Sequence, residues 1–190
     1  MLLAALALPA LLTPQVHAGE RLHYRTTWTR EMNGPLLAGM KPSVSGADYT
    51  VTVSDASPAH VSWTRQYTGM PVFVYDTALL GQPPAALNLG ATWTNVIHHP
   101  GGDELWTSTV EEANAATGTV RLRLSFESHG SSGFNGDKSA SDRREDGQAV
   151  FVQGIMTQLS LQGRETTTSP QLRITNAVAI ETRLEGPGSP

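Results

Sequence analysis

The stretch TVRLRLSFE, residues 119–127, alternates polar and apolar side chains from end to end. In an extended chain successive side chains point to opposite faces, so Val120, Leu122, Leu124 and Phe126 share one side. Arg121, Arg123 and Ser125 fall on the other. A helix would scatter the same residues around its circumference. The stretch therefore predicts a strand with one face in a core and one in water.

The same period recurs on both sides of it. Residues 21–29 place Leu22, Tyr24, Thr26 and Trp28 on one face, ending at Asn33-Gly34-Pro35. Residues 49–53, 61–67, 91–97 and 104–111 repeat the pattern. A short apolar run, 72–75, reads as a strand buried on both faces. Residues 148–162 and 171–184 are long enough to bend, and Gly154 marks a bulge or a close backbone approach. Asn114 and Thr117-Gly118 suit a hairpin turn, and 78–90 reads as a loop or crossing segment. Helical periodicity is nearly absent. The expected fold is all-β: a single domain of about nine antiparallel strands, as a curved, barrel-like sheet or a β-sandwich.

Residues 128–147, SHGSSGFNGDKSASDRREDG, hold one apolar anchor, Phe134. Such a stretch cannot bury enough area to offset its ordering entropy, and it reads as a mobile loop. Residues 186–190 read as a disordered tail.

At the other end, MLLAALALPALL (1–12) carries no charged side chain and is too short to span a bilayer. It fits the apolar part of a secretory leader, with Val16-His17-Ala18 as the cleavage site. The basic residue expected ahead of that apolar part is missing. A cut after Ala18 gives residues 1–18 as signal peptide and a β domain over 19–185. The expected location is periplasmic or secreted, with no transmembrane anchor once the leader is gone. The chain has no cysteine, so neither disulfides nor a lipid-modified Cys enter, and a hydrophobic core must hold the fold. A net charge of −4 lacks the basic footprint of a nucleic-acid binder.

Motifs of strong chemistry are lacking. Neither Gly-x-Gly-x-x-Gly nor a Walker sequence occurs, so no cofactor is expected. Gly130-Ser131-Ser132-Gly133 is no nucleophile elbow. The densest polar group is His98-His99-Pro100-Gly101-Gly102-Asp103-Glu104, where His98, His99 and Asp103 are candidate ligands for a divalent metal. Adjacent histidines on a strand point apart, which weakens that reading. Trp28, Trp63, Trp93, Trp106, Tyr49 and Phe126 could line a ligand cavity, or simply form a core. Each tryptophan is followed by threonine, as a strand with a buried and a wet face would have it. Three readings result. The first is a non-enzymatic envelope protein binding an apolar or amphipathic, lipid-like ligand or an envelope-protein partner. The second is an interaction module without a small ligand. The third is a metal-dependent hydrolase around His98 and His99.

Overall fold

The computed structural model describes residues 11–33, 40–57, 60–68, 80–84, 87–134 and 137–187. Nine strands form one antiparallel sheet: β1 (Arg21–Asn33), β2 (Ser43–Ser57), β3 (His60–Thr68), β4 (Thr92–His99), β5 (Gly102–Asn114), β6 (Thr119–Phe134), β7 (Asp137–Val152), β8 (Ile155–Thr168) and β9 (Arg173–Pro187). Their order is β3-β2-β1-β9-β8-β7-β6-β5-β4. There is no second sheet among the described residues, so the architecture is a curved sheet and not a sandwich.

The first and last strands pair, with Thr26 opposite Thr182 and Trp28 opposite Ile180. The buried hydroxyls of Thr26 and Thr182 share a hydrogen bond of 2.8 Å. The sheet is left unclosed between β3 and β4. Every neighbouring pair is antiparallel, and eight pairings separate those two edges, so β3 and β4 run in the same direction. A tight hairpin cannot join them. The chain has to return from the upper end, where β3 stops, to the lower end, where β4 starts. The described parts of this connection bring Leu80 and Leu87 into the core, and Trp93 Nε1 donates to the Leu80 carbonyl at 2.7 Å. Of the segment expected to cross over 78–90, Leu80 and Leu87 reach the core, while the other described residues stay at least partly exposed. The strand expected over 72–75 lies outside the described residues.

The inner face holds the predicted residues. Leu22, Tyr24, Tyr49, Val51, Val53, Val120, Leu122, Leu124 and Phe126 are all buried. Tyr24 stacks on its cross-strand neighbour Tyr49 at 5.1 Å, and burial, then Tyr49 itself, raises its hydroxyl pKa well above the ordinary range. The outer face of β6 shows Arg121, Arg123 and Glu127, the reverse of the apolar outer band of a membrane barrel. No helix among the described residues is long and apolar enough to cross a membrane. Ladder irregularities at His23/Tyr24, Val53/Asp55, Val110/Glu112 and Val150/Phe151 all lie toward the lower end. Extra residues in a ladder bend it and add twist.

Three expectations are corrected. Residues 128–147, read as a loop, are the paired arms of the β6–β7 hairpin, in register from Ser128↔Arg143 through Phe134↔Asp137. Backbone hydrogen bonds to both neighbours hold a segment whose side chains alone would not fold it. Residues 148–162, read as one bent strand, are the end of β7 and the start of β8. Gln153 and Gly154 both have positive φ, 52° and 75°, which makes a two-residue turn suited to a twisted hairpin. Of the tail expected over 186–190, Gly186 and Pro187 belong to β9, with Gly186 paired to His23, and 188–190 lie outside the described residues.

The lower end is covered by residues 11–18. Val16 is buried, Leu11 and Leu12 pack on the core, and Gln15 N donates to the Gln153 carbonyl at 3.0 Å. A Cβ at Gly154 would overlap the Thr13 carbonyl, so only glycine lets this backbone approach. A chain beginning at Gly19 loses that cover. It should bind more of an apolar dye such as ANS than a chain beginning at Leu11.

Space inside the curl is tightest between β7 and β8. A Cβ at Gly163 would overlap the Arg144 carbonyl, and one at Gly147 the Ser160 carbonyl. Gly163→Ala should cost about 1–3 kcal/mol, the scale of overpacking, read as a lower midpoint in urea denaturation.

Candidate functional site

Cross-strand partners share a face, so the register sorts the interior into rows. One inward row runs Thr26, Thr182, Leu159, Ala149, Leu122 and Val110. The row above holds Trp28, Ile180, Leu161, Gly147, Leu124 and Ser108. Above that come Arg30, Val178, Gly163, Glu145, Phe126 and Trp106, then Met32, Asn176, Glu165, Arg143, Ser128 and Glu104. The interior therefore changes from apolar at the lower end to polar and charged at the upper end.

Four charged side chains of the upper rows are paired. Arg30 Nη2 donates to Glu165 Oε2 at 2.8 Å. Arg143 Nε donates to Glu145 Oε1 at 2.6 Å, and its guanidinium lies 5.3 Å from the centre of the Phe126 ring. With the Asn176 amide oxygen turned toward Arg30, Nε and Nη2 donate to it at 3.2 and 2.7 Å. Burial is graded. Glu145 and Asn176 are each 1% exposed, whereas the side chains of Arg30, Glu165 and Arg143 keep 33%, 23% and 26%. The group thus has a dry floor and a wet rim.

Among the buried polar atoms of these rows that find no hydrogen-bond partner in the protein are Glu145 Oε2, Trp28 Nε1 and Ser108 Oγ. Glu145 is flanked by Gly163 on β8 and by Phe126 on β6. Burial raises the Glu145 pKa; the hydrogen bond and charge of Arg143 oppose this, and the charge of Glu165 adds to it. A buried charge that is only half satisfied costs stability.

The aromatic candidates divide. Trp93, Trp106, Tyr49 and Phe126 are buried in the core, with Trp106 and Phe126 tilted against one another at 4.6 Å. Trp28 is half-buried, and Arg30 lies 5.8 Å from its ring centre. The Trp63 side chain lies outside the described residues. The histidine candidates sit at the β4–β5 tip, where the structure keeps them apart. His98 and Asp103 pair across the hairpin on the outer face, Nδ1 to Oδ1 2.8 Å. His99 Nε2 lies 3.5 Å from Glu104 Oε1. Among the described residues no three His, Asp or Glu side chains gather so as to hold a metal ion.

No family model matches the chain, and no curated protein matches it. Among solved structures it is similar to Ail, the attachment invasion locus protein of Yersinia pestis. That likeness has 7% identity and a TM-score of 0.23, over 88% of this chain and 99% of the other. A superposition so loose establishes neither a common fold nor a common role.

Sequence reading missed the polar floor because its β7 members lie in the stretch taken for a loop. Counting back by twos from buried Phe151 through Ala149 and Gly147 reaches Glu145 and Arg143, so parity carried the signal.

The raised Glu145 pKa sets a pH dependence of stability. The folded chain holds this proton more tightly than the unfolded chain does. The stability from protonation is complete below the ordinary carboxyl value of 4.5. It is lost as pH rises through the raised value. Glu145→Gln should therefore show a flatter stability profile than the parent above pH 4.5, measured by urea denaturation across a pH series.

Proposed function

We propose that this chain is an exported envelope protein, periplasmic or secreted, that binds an amphipathic ligand within its curved sheet without transforming it. The observation that carries this reading is the polarity gradient of the interior. A fold selected for stability alone gains most from an apolar core throughout, since each fully buried Leu or Ile side chain contributes about 1.5–3 kcal/mol. Here the upper rows instead hold Arg30, Glu145, Glu165, Arg143 and Asn176 directly above the apolar ones. Polar groups that converge beside apolar walls are the ordinary make-up of a small-molecule site. The leader-like residues 1–18 support export, and Trp28 and Phe126 would meet the ligand where the two zones join.

A second reading is favoured by the sheet edges. Among the described residues β3 pairs only with β2, and β4 only with β5. An unpaired edge can accept a strand from a partner protein.

Native mass spectrometry of protein taken from its own compartment should show a small-molecule adduct that organic extraction removes. A single adduct-free mass before extraction, with no dodecyl probe taken up afterwards, would overturn the ligand-binding reading.

A further inference from the structure

We infer that the ligand carries an uncharged head with hydroxyl groups, and that Glu145 Oε2 accepts a hydrogen bond from one of them. This rests on the ligand-binding reading above and names the chemistry of its polar end.

Charge is the first ground. The two arginines of the upper interior are each matched by a glutamate, Arg30 by Glu165 and Arg143 by Glu145. An anionic head would have to compete with a carboxylate already in place for each guanidinium. A cationic head would have to sit beside Arg143. Glu104, further along the same row, is faced by His99. A neutral head enters without displacing either arginine–glutamate pair and without placing a second cation beside Arg143.

Hydrogen bonding is the second. Glu145 is 1% exposed, and its Oε1 is taken by Arg143. Its Oε2 finds no donor in the protein. An ionised carboxylate oxygen only accepts, so the head must supply an O–H or N–H. Trp28 Nε1, a buried donor on the same inner wall, also lacks a protein partner and only donates. A head with several hydroxyls offers both donors and acceptors, whereas an ammonium only donates and an ether only accepts.

The test measures affinity for four probes with one chain length: 1-monolauroylglycerol, its di-O-methyl ether, laurate and dodecylamine. Isothermal titration on the extracted full chain gives each dissociation constant. Monolauroylglycerol should bind tightest, by about tenfold over its methyl ether, the scale of one hydrogen bond to a charged group. In Glu145→Gln the amide oxygen can keep the bond from Arg143, which leaves the NH2 group in the place of Oε2. An acceptor then becomes a donor, and the preference for hydroxyl over methyl ether should vanish. Laurate or dodecylamine binding as tightly as monolauroylglycerol would overturn the neutral head and leave the ligand-binding reading intact. So would an unchanged preference in Glu145→Gln for the role of that residue. If none of the four binds, the ligand-binding reading itself fails. The parent's ranking of the four probes stands as a test even if Glu145→Gln does not fold.

Discussion

The pairing of β1 with β9 is the contact on which the rest of the fold depends. It brings the two ends of the described chain together and turns a meander into a curl with an inside. Thr26 and Thr182 meet at this seam, both buried, each satisfying the other's hydroxyl. Without that closure the inner faces of β1 and β9 would be edges, and Leu22, Tyr24, Val178 and Ile180 would face water.

The same pairing dictates the crossing. Antiparallel pairing of β1 with β9, in a sheet of nine strands among the described residues, makes the remaining edges β3 and β4 point the same way. The connection between them must then traverse the sheet, and its buried Leu80 and Leu87 become core residues. Trp93 ties the crossing to β4 through the Leu80 carbonyl.

Within the curl, stability and specificity are divided by height. The lower rows are aliphatic and aromatic, bent by four ladder irregularities and covered by Leu11, Leu12 and Val16. The upper rows place ion pairs where an apolar core would be cheaper. Buried pairs of this kind seldom add stability over well-packed apolar residues. The orphaned Oε2 of Glu145 makes the departure sharper, because it is a cost that no protein contact repays.

The sequence by itself determined which residues face inward on most strands. Period two is a local property of an extended backbone, and it was legible wherever the inner face is apolar, as at Val120 to Phe126. The Asn114 turn was legible for the same local reason: the Asn114 side-chain oxygen accepts from the Ala116 and Thr117 amides. Residues 128–147 were not legible as strands from their own alternation, because their inner positions are Ser128, Gly130, Arg143 and Glu145; only parity carried back from Phe151 reaches the last two. Nor could the sequence separate the end of β7 from the start of β8, since apolar residues flank the Gln153-Gly154 turn on both sides. Only the tertiary structure decided which strands pair, in what register, and hence that Arg30, Glu145, Glu165 and Asn176 share one wall. Arg30 meets Glu165 and Asn176 across more than a hundred positions, and no local periodicity can encode a partner at that distance.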